Sequence, residues 1–273
     1  EALQFIGRTP VQFTRAMSST ALNGAQQTKL KEFIDVAGPR VGRDLAIKYL
    51  TRAKWDLAAA CNNFWEYPPS ESELQPVVDK ESVLKAFRTY AVDGEIEENM
   101  GKFLEDLGVT EDDVMSMVIP WKFGAKHLGV FTEEEFVKGM ANVGCETVAD
   151  LKAKIPSLRQ QLDQHDSFKP FYQFCFAYTL SGEGVKEKKV LSLEFAIAIW
   201  RVVLGNRVVF LDDWITFLEE TKKKAINKDT WDLFWDFHRQ VKADFSNYDP
   251  AGAWPSTIDE FVDHMASKKS SST

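Results

Sequence analysis

Ser246-Asn247-Tyr248-Asp249-Pro250-Ala251-Gly252-Ala253-Trp254-Pro255-Ser256-Thr257-Ile258-Asp259-Glu260-Phe261-Val262 reads as a turn that hands over to a helix. Asp249-Pro250 opens the turn, and Gly252 supplies backbone freedom within it. Pro255 suits a first helical turn. Ser256-x-x-Asp259 has the spacing of a capping box, in which each side chain takes the other's orphan backbone N–H. The stretch carries carboxylates and small residues but no catalytic group. Its plain reading is a capped surface helix; its sharper reading is a docking face for a basic partner.

The same pattern runs upstream. Helical spacing of apolar residues recurs over residues 80–91, 97–107, 110–125, 132–143, 147–163, 168–180, 191–204, 211–224, 228–243 and 256–266. No convincing alternating strand interrupts it, so the expected class is all-α. Thr132-x-x-Glu135 is a capping signal and Thr110-x-x-Asp113 a looser one, while Gly108 and Gly144 stand where helices should stop. Ahead of this domain, Leu30, Phe33 and Ile34, then Ala46, Ile47, Tyr49 and Leu50, then Trp55, Leu57, Cys61, Phe64 and Trp65 form three short apolar stripes. They predict a three-helix bundle over residues 26–67, near the lower size limit for independent stability. Tyr67-Pro68-Pro69-Ser70-Glu71 opens an extended linker taken to run over 68–79. Residues 1–25 read as a disordered tail, with Met17 as an internal start, and 267–273 as a polar tail.

Composition narrows the function. The 273 residues carry 33 bases against 41 acids, a net charge of −8. Nucleic-acid binding needs basic patches, so an acidic chain points instead to a basic protein surface. With 44% hydrophobic residues, 20 Phe and 8 Trp, the chain has a sizeable core to bury. No apolar run is long enough to span a membrane. Cys61, Cys145 and Cys175 are far apart in apolar surroundings and read as small core residues in a reducing compartment.

Catalytic patterns are missing. His127, His165, His238 and His264 are isolated, at no metal-ligand spacing from a Cys or from one another. There is no phosphate loop, nucleophile elbow or zinc-protease motif. Asp93-Gly94-Glu95-Ile96-Glu97 and Val130-Phe131-Thr132 look like the loops of EF-hand halves. A calcium loop needs Gly at position 6 and Glu at 12; counted from Asp93 these are Glu98 and Leu104, so no calcium, metal or other cofactor is expected. Phe168, Phe171, Phe174 and Phe176 could form a ligand cage but read as core.

An ordered series of motifs resembles the defective-in-cullin-neddylation family. These are Trp121-Lys122-Phe123, Glu135-Phe136-x-x-Gly139-Met140, Gly144-Cys145, Leu151-Lys152-Ala153-Lys154-Ile155-Pro156, Phe168-Lys169-x-Phe171-Tyr172-Gln173-Phe174, Ala196-Ile197-Ala198-x-Trp200, Phe210-Leu211-Asp212, Lys228-Asp229-Thr230-Trp231 and residues 246–261. They cover about residues 80–266. Trp55-Asp56-Leu57-x-x-Ala60 and Asn63-Phe64 are similar to the family's ubiquitin-associated (UBA) domain. The resemblance implies a helical scaffold with EF-hand-like pairs that lack calcium. It implies a co-ligase with no nucleophile of its own, acting in cytoplasm and nucleus. Such a protein holds a cullin's C-terminal winged-helix subdomain and the N-terminally acetylated neddylation conjugating enzyme together, with a RING protein in the same complex. Orientation alone can then supply large rate factors.

The resemblance also implies sites. The cullin-binding patch falls on Asp229, Ala253 and Asp259, flanked by Trp231 and Trp254, in a region (225–265) that holds eight acids against three bases. A pocket for the acetylated Met falls on Met100, Phe103, Ile119, Phe123, Phe131, Tyr178 and Val202, with departures from the family pattern at Glu97, Ser116 and Pro120. Ubiquitin would meet Val36, Ala37 and Gly38 and the helix end near Phe64 and Trp65. Two other readings stand beside this one: a ubiquitin adaptor working mainly through its UBA domain, and a calcium-responsive sensor, which the failed ligand spacing disfavours.

Overall fold

Short polar residues ahead of apolar stripes start most of the helices. In the computed structural model, which describes residues 22–271 apart from 39, 71–72, 75–76, 164–167 and 183–188, the chain divides into two units between Gln75 and Pro76. Residues 1–21 of the expected tail lie outside the described residues.

In the first unit, α1 (Gly24–Ala37), α2 (Arg43–Arg52) and α3 (Leu57–Glu66) bury Phe33, Ala46, Leu50 and Ala60 completely. Helix α1 starts inside the expected tail: Asn23 and Gln26 form a reciprocal capping box with bonds of 2.9 and 3.0 Å. The expected linker is also partly folded. Glu73 accepts from Lys48 at 2.7 Å and from the Ser70 backbone at 3.0 Å, and Leu74 packs on the small core. The Lys48 ammonium and the Ser70 donors hold the Glu73 carboxyl at about 2.

The second unit is built from two helix–ribbon–helix pairs. In the first pair, α4 (Lys80–Tyr90), β1 (Glu95–Ile96) and α5 (Met100–Leu107) face α6 (Met115–Phe123), β2 (Phe131–Thr132) and α7 (Glu133–Val143). After α8 (Val148–Leu162) comes the second pair. Here α9 (Phe168–Ser181), β3 (Val190–Ser192) and α10 (Leu193–Val203) face α11 (Leu211–Glu220), β4 (Ala225–Asn227) and α12 (Lys228–Gln240); α13 (Ser256–Ser271) closes the unit. The expected all-α class holds, and the short strands are ribbons inside the helix pairs. They pair antiparallel, Ile96 opposite Phe131 and Leu191 opposite Ile226, and each ribbon buries that apolar pair. In both pairs the last strand residue caps the next helix: Thr132 accepts from the Glu135 backbone at 3.3 Å, and Asn227 from Thr230 at 2.7 Å.

Gly108 and Gly144 end α5 and α7 in the left-handed conformation (φ 73° and 68°). The looser signal at Thr110 starts no helix; residues 110–114 make a turn and α6 begins at Met115. At the C-terminus, α13 continues through residues 267–271, where a tail was expected. Gly139 sets how closely α6 and α7 approach, because a Cβ there would lie 2.1 Å from Phe123 Cγ.

Candidate functional site

The cavity lies at the seam between the two pairs. Helix α5 presents Met100 and Leu104 one turn apart, and α6 presents Ser116, Met117 and Pro120. The opposite wall is Tyr178 of α9 with Ile199 and Val202 of α10, and the 124–130 loop and β2 add Leu128, Gly129 and Phe131. The volume is about 370 Å³, with Glu111 at the edge. That size suits one side chain and its flanking amide, and the lining is mostly apolar.

The loop is held by α9. Leu128 N–H donates to Ser181 Oγ at 2.8 Å, and Gly129 N–H donates to the Tyr178 hydroxyl at 3.0 Å. Ser181 Oγ in turn donates to the Tyr178 carbonyl at 2.6 Å. Burial pushes the Tyr178 phenol up to about 12. From below, Glu135 takes Lys126 N–H and Thr132 N–H, each at 3.1 Å, so one nearly buried carboxylate ties the loop to the cap of α7.

Of the pocket residues expected from sequence, Met100, Phe131, Tyr178 and Val202 line this cavity. Phe103, Ile119 and Phe123 do not; they are core residues, 0%, 0% and 1% exposed. Phe103 and Phe123 sit behind the wall, with ring centroids 6.0 and 5.1 Å from that of Phe131. Ser116 and Pro120, noted as departures, do line the cavity, whereas Glu97 does not. Sequence reasoning missed Leu104, Met117, Leu128, Gly129 and Ile199. Helical spacing from Met100 and Val202 was a signal for Leu104 and Ile199; the loop residues had none.

The acidic face is built from other elements, α12, α13 and the turn between them. Asp229 is exposed in the first turn of α12, and Ala253 is exposed in the turn before α13. Leu233, one turn beyond Asp229, lines the same groove of about 510 Å³ as Ala253 and Trp254. Asp259, half-buried on α13, accepts a short hydrogen bond from the Tyr248 hydroxyl. Burial, and then the Asp259 carboxylate, push the Tyr248 phenol far up. Phe237 of α12 floors the region, with its ring 6.1 Å from Tyr248 and 5.6 Å from Trp254. Trp231 does not flank the face; it is fully buried.

Gly252 has no positive φ, and space rather than backbone freedom requires it: a Cβ would lie 2.8 Å from Trp254 Nε1. Three neighbouring acids are paired, Asp232 with Lys228, Asp236 with Lys169 and Glu260 with Lys223. Among the described residues no cation pairs with Asp229, Asp249, Asp259 or Asp263, so the face is negative where Ala253 is exposed.

In the first unit, Val36 and Ala37 form the last turn of α1 and Gly38 is its C-cap at φ 99°. Val36 is 55% and Trp65 64% exposed. Phe64 belongs to the core instead, 5.8 Å from the Phe33 ring and 5.3 Å from Tyr49, so it offers no surface to a partner.

Among the described residues, no group of three or more His, Cys, Asp or Glu side chains could hold a metal ion. No helix among them is long and apolar enough to cross a membrane. The first EF-hand-like loop turns at Asp93 (φ 51°) and Gly94 (φ 88°), and Leu104, the residue in place of a bidentate Glu, packs on the core. Cys145 and Cys175 are buried free thiols, raised by burial; Cys61 is half-buried and free.

The class follows from two family matches: a helical protein with a UBA-like domain ahead of a cullin-binding domain. The chain matches the UBA-like domain family over residues 27–70 and the family described as Cullin binding over residues 150–264. It is 32% identical to defective in cullin neddylation protein 1 of Caenorhabditis elegans, over 89% of this chain and 90% of the relative. It is 36% identical to DCN1-like protein 5 of Homo sapiens (64% of this chain, 72% of the relative) and 33% identical to DCN1-like protein 4 of Drosophila melanogaster (64% and 69%). The chain belongs to the defective-in-cullin-neddylation family.

Proposed function

We propose that this protein acts in cullin neddylation as a non-catalytic co-ligase. Its acidic face takes a cullin's C-terminal winged-helix subdomain through Asp229, Ala253 and Asp259. Its seam cavity takes the acetylated N-terminal Met of the conjugating enzyme. The observation that carries this reading is the coexistence, on one continuously packed unit, of a mostly apolar cavity and a separate face where Asp229, Asp249 and Asp259 pair with no cation among the described residues. Two partners held on one rigid body gain effective concentration without any reactive group on the holder. A RING protein in the same complex would assist, and the free thiols suit the reducing cytoplasm and nucleus.

The test is reconstituted cullin modification with and without the full chain. Asp229→Lys with Asp259→Lys should abolish stimulation and cullin binding while the thermal melt stays cooperative, because like charges would then face a basic partner. Wild-type affinity should also fall as salt rises. A folded double variant that binds the winged-helix subdomain as well as wild type would overturn the assignment.

A second reading, a ubiquitin adaptor, is favoured by one observation: Trp65 and Val36 stand exposed in the first unit. Trp65→Ala should remove ubiquitin binding and leave stimulation of neddylation intact. Loss of stimulation instead would make the adaptor role primary.

A further inference from the structure

Hydrogen-bonding capacity around the seam cavity is almost exhausted. A phenol can accept and can donate one proton. The Tyr178 oxygen accepts from Gly129 N–H at 3.0 Å, and among the described residues no acceptor takes its proton. Ser116, the other hydroxyl of the wall, donates to the Glu111 carbonyl at 3.2 Å. The remaining side chains that form the walls are apolar, and Glu111 can only accept. Among the described lining residues the cavity therefore has one uncommitted side-chain donor, at Tyr178, which is 4% exposed and itself buried in the wall.

We infer that the Tyr178 hydroxyl is the specificity-determining group of this cavity, donating to the carbonyl oxygen of an acylated N-terminal amide. The inference rests on the reading of the cavity as the acetyl-Met site. Burial keeps the phenol neutral and protonated far above neutral pH, so the donor is always present. A protonated amine has only donors and cannot accept this proton, so the buried phenol donor would stay unsatisfied against it. An acyl carbonyl satisfies the donor and brings no charge. The cavity thus selects acylation by hydrogen-bond polarity as well as by its mostly apolar lining.

Tyr178→Phe isolates the hydroxyl. The ring stack with Phe174, at 5.0 Å, survives, and the loop stays anchored through Leu128 N–H and Ser181. The full chain is titrated by calorimetry with two peptides of the conjugating enzyme's N-terminal sequence. One is headed by acetyl-Met. The other is headed by 4-(methylthio)butanoyl, which keeps the thioether chain and neutrality but lacks the acetamide. Tyr178→Phe should weaken the acetyl-Met peptide about tenfold and leave the second peptide unchanged.

Ser181→Ala, which loosens the loop without touching the phenol, should weaken both peptides alike. Equal loss of both peptides in Tyr178→Phe, or no loss of either, would overturn the inference while leaving the cavity assignment standing. Failure of wild type to bind the acetyl-Met peptide would instead remove the cavity assignment itself.

Discussion

The two ribbon-linked pairs of the second unit share a plan and differ in filling. In both, a short antiparallel ribbon buries one apolar pair and its last residue caps the following helix. The first pair is filled with Phe and Met: Phe87, Phe103, Phe123, Phe136 and Met140 are all 2% exposed or less. The second is filled with indoles. Trp200 stacks on Trp231 at 5.1 Å, Trp231 on Tyr172 at 4.8 Å, and Trp214 on Phe234 at 4.6 Å. The indole N–H groups of Trp200 and Trp231 both donate to Tyr172, at 2.8 Å to its hydroxyl and 3.0 Å to its carbonyl.

Large planar rings with internal hydrogen bonds make a solid half that can carry an exposed charged face. Flexible thioethers and single rings line the first pair's side of the seam, where the cavity opens against Tyr178, Ile199 and Val202 of the second. The difference teaches that one supersecondary plan can give a rigid platform or a socket, depending on which side chains fill it.

That contrast is sharpest at Trp231. Trp231→Ala removes two stacked contacts and a buried donor, and should cost about 3–5 kcal/mol in urea unfolding. A loss below about 1 kcal/mol would mean that the second half is not the solid one. Gly139→Ala attacks the first half from the opposite direction, by adding a methyl group where Phe123 already sits. Overpacking of that kind should cost about 1–3 kcal/mol, and acetyl-Met peptide affinity should fall as α6 shifts. If the melting temperature stays put, the first half is more yielding than its contacts imply.

Capping should tell the halves apart less. Thr132→Ala and Asn227→Ala each remove one side-chain bond to a helix start, and each should cost about 1 kcal/mol. Thr132 also belongs to the box with Glu135, so its replacement should additionally loosen the cavity loop, seen as faster amide exchange at Lys126.

The smallest effect is one of pH. An unfolded tyrosine titrates near 10, whereas burial holds Tyr178 at about 12. The neutral form is favoured in the fold, so this contribution is complete below about pH 10 and is lost as the pH rises towards 12. Peptide affinity should therefore be flat across neutral pH and decline only in strong alkali, in step with phenolate absorbance. A decline near pH 10 would place Tyr178 in water.

How much of this was readable beforehand follows the range of the interactions. Helix stops at Gly108 and Gly144 and the cap at Thr132 are set within a few residues, and sequence located them. The ribbons were not found because two or three residues carry no periodicity. The Asn23 cap was overlooked because its neighbourhood reads as a polar tail. For the cavity, periodicity marked Phe103, Ile119 and Phe123 as apolar but could not say on which side of the wall they lie. Asp259 shows the opposite limit: its spacing suggests a cap, and the fold gives its carboxylate to Tyr248, eleven residues earlier in the chain.

The Trp200–Trp231 stack has an optical consequence. Two indoles 5.1 Å apart and only 9° from parallel have coupled electronic transitions. Such coupling gives a near-ultraviolet dichroic signal that a lone tryptophan does not. Trp65, 64% exposed in the other unit, should emit at longer wavelength and be quenched readily by iodide. The molecule thus carries two native labels. Dichroism follows the filled half of the second unit, red-edge emission follows the first unit, and their melts can be recorded separately on the unlabelled protein.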